Sequence, residues 1–192
     1  MDKNKDFILA AVLALVISFT LFGNGIGGDF VFDDTVVIVG NPLINENLDG
    51  LWKIFTTPYF AYQPRPGLYR PLTIASYSVN AFTFGYSPVS FHIVNIFLHA
   101  LVSYLIFLLF YKLSGKLVPI GEGDRGSSIR VQRIGTYAGF LFFIFLPIHV
   151  EAVTSIVGRA ELLSLLFTVT ALLLVIRQKY IFASGVFFLG LL

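Results

Sequence analysis

A set of uncharged apolar runs constrains this chain more than anything else in it. Phe7–Gly23 carries no charged side chain. A bilayer core takes roughly 17–25 such residues as a helix, the form that satisfies its backbone polar groups within the segment. Further runs cover Val89–Tyr111, Ile134–Ile148 and Leu162–Ile176, and a fifth begins at Tyr180 and reaches Leu192. Composition agrees: 56% of residues are hydrophobic and 12% charged, against about a quarter charged in soluble domains. The absence of cysteine excludes a disulfide framework, a thiolate metal site and a Cys nucleophile. As a signal peptide the first run would rely on the weak cleavage site at Gly23-Asn24-Gly25, so it reads as an uncleaved span. The expected fold class is an all-α polytopic membrane protein.

Cytoplasmic loops are enriched in Lys and Arg. With alternating spans, Lys3, Lys5, Lys112, Lys116, Arg125, Arg130, Arg133, Arg177 and Lys179 fall on one side. The other side carries only Lys53, Arg65, Arg70 and Arg159, although its first loop is much the longer. The N-terminus is therefore expected to be cytoplasmic, with residues 24–88 and the turn 147–160 outside. The cytoplasmic loop 112–133, rich in Gly and Ser, reads as a linker.

An outer loop of this length normally holds structure or function. Leu48–Phe60 is expected to be helical, and its Trp52, Phe55, Tyr59 and Phe60 are the aromatic types that settle at headgroup level. Pro71 suits the first turn of a second helix. There Leu72, Ala75, Val79 and Phe82 form one stripe, and Thr73, Ser76 and Asn80 another. That pattern predicts an amphipathic helix at the membrane surface; a packing helix of an outer domain is the alternative.

Within the second span His92, Asn95, His99 and Ser103 fall in an arc of about 80°, at about 100° per residue. Polar groups at that depth face a bundle interior or a wet cavity, and the simpler role is packing between helices. Two His and one Asn do not make a metal site by themselves. Glu151, Ser155 and Arg159 would share a face if one helix ran on through the Pro147 turn, and Glu151 and Arg159 would then pair. Glu161, Ser164 and Thr168 mark a further polar stripe.

Asp33-Asp34 sits just outside the first span in the apolar stretch Phe30-Val31-Phe32. Adjacent carboxylates near aromatics are expected to be partly desolvated, which raises proton affinity and suits a general base acting on a hydroxyl. A divalent cation bridging Asp33 and Asp34 is a variant; no organic cofactor is expected.

Three stretches in order carry a resemblance: Phe30–Ile44 (FVFDDTVVIVGNPLI), Tyr69–Ala100 (YRPLTIASYSVNAFTFGYSPVSFHIVNIFLHA) and His149–Leu162 (HVEAVTSIVGRAEL). They resemble the N-terminal membrane half of the transmembrane and tetratricopeptide-repeat O-mannosyltransferases and, more broadly, GT-C-fold glycosyltransferases. The resemblance implies a polytopic enzyme whose first outer loop holds the active site. The donor would be a polyprenyl- or dolichyl-phosphate sugar, and the acceptor a hydroxyl on a protein or glycan; nucleic acid is not an expected partner. By the same likeness Asp33 would be the base with Asp34 beside it, and Arg70 would hold the donor phosphate. Glu151, Arg159, His92 and His149 would line the substrate side. Such enzymes carry more spans and then helical repeats, so the chain is expected to be part of a longer protein. The competing reading is a non-catalytic membrane component or a lipid-linked-sugar transporter; transporters place ionisable groups near the bilayer midplane, whereas the acidic pair here falls at the outer surface.

Overall fold

The computed structural model describes residues 3–44, 51–60, 67–117 and 125–192. Among these the chain is helical and has no strand. Its helices are α1 (Lys3–Phe22), α2 (Leu51–Ile54), α3 (Pro71–Phe84), α4 (Pro88–Leu117), α5 (Arg125–Ile144), α6 (His149–Thr154), α7 (Arg159–Ile176) and α8 (Tyr180–Leu189). Among the described residues three stretches are long and apolar enough to cross a membrane: Asn4–Gly25, Pro88–Leu117 and Ile156–Ile176, of 22, 30 and 21 residues. The chain is built as an integral membrane protein. The apolar run at Ile134–Ile148 falls on α5 only as far as Ile144, and the first half of α5 carries Arg130, Gln132 and Arg133. That helix stops at Ile144, ahead of Pro147, whose ring and missing N–H end a helical ladder.

Helix α4 is the hub, packing against α1, α5 and α7, while α8 folds back on α7. One apolar layer joins Ala10 and Ala14 of α1 to Phe107 of α4 and to Phe140 and Ile144 of α5. A second joins Val102 and Ile106 of α4 to Val169 of α7. The arc on α4 faces inward, since His92, Asn95, His99 and Ser103 are all buried. At one end of α1, Asp6 accepts an ion pair from Arg133 at 2.7 Å.

The opposite end of α1 carries a lobe built mostly from the segment between α1 and α4. Its core gathers Val37 and Ile38 from the chain after α1, Ile54 of α2, Tyr59 from the turn after it, Ile74 and Tyr77 of α3, Phe91 of α4 and Ile156. The helix expected over Leu48–Phe60 is shorter than its aromatic content suggested. Residues 48–50 lie outside the described part, and the helix proper is the single turn of α2. After it the backbone closes as turns, with the N–H of Phe55 and Thr56 donating to Trp52 and Lys53, and Pro58 has no N–H to extend the ladder.

Helix α3 begins at Pro71 and presents its polar stripe to the protein. Thr73, Ser78 and Asn80 are buried with Ile74, Tyr77 and Ala81. Val79, Phe82 and Phe84 point outward, 48–64% exposed. This is the reverse of a water-soluble amphipathic helix, and it suits an element whose outer face meets lipid.

Candidate functional site

The site begins where α1 ends. The chain turns at Phe32, which holds φ at +47°, a left-handed conformation uncommon for an aromatic residue. The turn sends the two neighbouring carboxylates in different directions. Asp34 is buried and accepts N–H bonds from Val31 at 3.1 Å and from Val157 at 2.9 Å, one on each oxygen. Asp33 is exposed and lines a cavity of about 210 Å³. The expected partial desolvation therefore falls on Asp34, while Asp33 faces open space. Among the described residues no group of three or more His, Asp or Glu side chains is gathered as a metal site.

The cavity brings Asp33 together with Arg70, Glu151, Glu161, Tyr59, Ser155, Val157 and Gly158. Asp33, Arg70 and Glu151, distant in sequence, thus share one space. Arg70 occupies the position just before α3 without a side-chain capping bond, and its guanidinium lies over the Tyr59 ring, 5.7 Å from the centroid. Burial pushes the Tyr59 hydroxyl up to about 12, with the neighbouring Tyr77 and Arg70 pulling the other way. Glu151 stands on α6 and Glu161 in the first turn of α7. Both were legible as acidic residues, yet Glu161 read only as part of a span stripe and Tyr59 only as an interfacial aromatic.

The cavity floor is an irregular link between α6 and α7. Ser155 is extended, with ψ at 129°, so no single helix carries Glu151 and Arg159, and the two do not pair. Instead the link is gripped from three sides. Asp34 takes the Val157 N–H, the Tyr77 hydroxyl donates to Ile156 O at 3.1 Å, and Asn95 Nδ2 donates to Ser155 O and Ile156 O.

Arg159 lies beneath this floor with none of its surface exposed. Its Nε donates to Asn95 Oδ1 at 2.8 Å, Nη1 to Ser76 O, and Nη2 to Asn80 Oδ1 at 2.9 Å and Phe91 O at 3.1 Å. Tyr77 and Phe91 present ring faces to it at 4.7 and 5.4 Å. It joins α3, α4 and α7 and does not line the cavity. Two expected substrate-side residues also sit elsewhere. His92 is buried with Nε2 against Gly28, where an added Cβ would come within 3.3 Å. His149 is half-buried and meets His99 Nε2 through Nδ1 at 3.2 Å, and His99 Nδ1 meets Ser18 Oγ at 2.8 Å. Burial lowers the basicity of His149 below that of a free imidazole.

A second cavity of about 480 Å³ adjoins the first and shares Arg70 and Glu161 with it. It lies between the start of α3, one face of α7 and residues 189–192, with Leu72, Leu163, Phe167 and Leu189 supplying apolar wall.

No protein-family model matches the chain, and no solved structure matches it. Curated proteins do. The chain is 35% identical over 179 residues to Protein O-mannosyl-transferase TMTC4 of Mus musculus, covering 87% of this chain and 24% of that protein. It is 34% identical over 185 residues to Protein O-mannosyl-transferase F38B6.6 of Caenorhabditis elegans, covering 94% and 25%. With Protein O-mannosyl-transferase TMTC1 of Homo sapiens the identity is 34% over 168 residues, covering 85% and 17%. The resemblance to the TMTC-type protein O-mannosyl-transferases holds. The chain spans about a quarter or less of the length of these TMTC-type relatives.

Proposed function

We propose that this chain forms the catalytic membrane part of a glycosyltransferase that moves a mannosyl or other hexosyl group from a polyprenyl- or dolichyl-phosphate donor to a protein hydroxyl. The observation that carries the reading is the meeting of Asp33, Glu151 and Arg70 in one cavity that shares Arg70 and Glu161 with a second, partly apolar one. In this reading the Asp33 carboxylate takes the proton of the acceptor hydroxyl. The hydroxyl oxygen then bonds to the anomeric carbon as the bond from that carbon to the phosphate oxygen breaks, inverting the centre. The lipid phosphate leaves with its charge met by Arg70, whose planar fork suits phosphate oxygens. Its hydrocarbon chain would lie along the apolar wall of the second cavity, at Leu72, Leu163, Phe167 and Leu189. Asp34 acts from beneath by fixing the turn that aims Asp33. The cavity would open on the extracytoplasmic side, because it lies at the end of α1 remote from the basic residues of α5.

Asp33→Asn tests the assignment in a chain extended to the length of its relatives. Asn keeps the shape and cannot accept the proton, so transfer is expected to fall by about 10²–10⁴-fold while the detergent size-exclusion profile stays unchanged. The assay is release of lipid phosphate together with acceptor glycosylation. Near-normal turnover in Asp33→Asn with an inert Glu151→Gln would move the base to Glu151.

A further inference from the structure

Arg70 stands at the junction of the two cavities, and among the described residues it makes no ion pair. What holds it is the Tyr59 ring. Attraction to a ring face engages the charge of a guanidinium and none of its five N–H donors. A cation held this way is oriented and still has all its donors for a ligand.

The ring is itself fixed. Tyr59 is 4% exposed and packs edge-on against Phe60 at 5.1 Å. Its backbone N–H donates to Leu68 O at 2.8 Å, which ties the chain just ahead of Arg70 alongside it. Next to Arg70, the Tyr69 hydroxyl donates to Phe55 O at 2.7 Å, a second tie between the same two segments. The Tyr59 hydroxyl lies beside that of Tyr77, which reaches the cavity floor at Ile156. Tyr59 is a neutral phenol, as any tyrosine is near neutral pH, so it orients the guanidinium without neutralising it.

We infer that Tyr59 is the positioning residue for Arg70: its ring face presents the guanidinium, with free donors, to the phosphate of a lipid-linked ligand. The inference rests on the donor site proposed above and adds the element that prepares it. A flexible arginine would lose side-chain freedom on meeting a phosphate; one already resting on a buried ring loses less.

The test uses the 192-residue chain in phosphatidylcholine nanodiscs, with undecaprenyl phosphate as probe and undecaprenol as its uncharged counterpart. The readout is the ratio of the two affinities, which a general loss of packing would lower for both probes alike. Tyr59→Leu is expected to reduce the preference for the phosphate by about 3- to 30-fold, the range of a cation–ring attraction from exposed to desolvated settings. Tyr59→Phe keeps the ring face and is expected to stay within about three-fold of the parent. In an Arg70→Ala background Tyr59→Leu should have no further effect on the ratio, because the group it positions is gone. If Tyr59→Leu does not purify as a monodisperse species, Tyr59→Met, which fills the space without a ring, carries the same expected loss. An unchanged ratio in Arg70→Ala would overturn the donor site itself. Loss of preference in Arg70→Ala with full preference in Tyr59→Leu, or an equal loss in Tyr59→Phe and Tyr59→Leu, would overturn the role of the ring and leave the donor site standing.

Discussion

Arg159 carries a permanent charge where no solvent reaches it, and its neighbours answer it with two side-chain amide oxygens, two backbone carbonyls and two ring faces. The planar fork is what lets one side chain reach α3 and α4 from the start of α7 at the same time. Lysine keeps the charge but cannot span those acceptors. Arg159→Lys is expected to cost on the order of 3 kcal/mol, because buried acceptors lose their donors and a buried ammonium is left poorly solvated. Unfolding in mixed detergent micelles measures it; a midpoint unchanged from the parent would remove Arg159 from the framework. The sequence marked Arg159 as a residue with a purpose, but not which one. Its partners Ser76, Asn80, Phe91 and Asn95 lie 64 to 83 positions away, and only tertiary packing assembles them. Asp33 and Asp34 teach the same lesson at closer range. Nothing in the dipeptide says which carboxylate faces outward; the backbone at Phe32 and the N–H of Val157, 123 positions on, decide it.

At the level of elements, the two stripes of α3 were legible from spacing alone, and their direction was not. In water the apolar stripe turns inward, whereas an element bordered by lipid reverses the rule, and period carries no information about which medium lies outside. The link between α6 and α7 was harder to read. Glu151, Ser155 and Arg159 have helical spacing, yet the backbone breaks at Ser155 and brings Gly158 close against α6. A Cβ on Gly158 would stand 2.4 Å from Ala152 O, closer than any relaxed contact. Gly158→Ala must therefore shift the cavity floor, and a loss of about 1–3 kcal/mol is expected from overpacking, seen as a lower thermal midpoint. Gly135→Ala on α5 is the matched control: nothing lies within 4 Å of its added methyl. A mid-helix Gly→Ala should stabilise by about 0.5–1 kcal/mol. Equal midpoints for the two variants would show that the Gly158 contact relaxes freely.

For the whole molecule, charge asymmetry and helix order together give a testable orientation. A reporter fused after Gly121 should read cytoplasmic, and one inserted near Gly50 external; the reverse pattern would put the carboxylate cavity on the cytoplasmic side. The apolar runs made the membrane class plain from the sequence, since a long uncharged segment has few other places to go. Within the lobe beyond α1 the helix from Pro71 was legible, but the shared core was not, because it is assembled from α3 and from short segments such as Val37–Ile38 and Ile54 that lie far apart in sequence. That core has a practical consequence. Phe91 belongs to α4 and Ile156 adjoins α7, yet both sit in the same apolar cluster as Val37, Ile54 and Tyr77. There is no place to cut. A lobe excised before Pro88 would leave Phe91 behind, deprive Tyr77 of its acceptor at Ile156, and turn Val79, Phe82 and Phe84 toward bulk water. Anyone who wants this lobe as a soluble antigen or a crystallisation target must bring the bilayer-spanning helices with it.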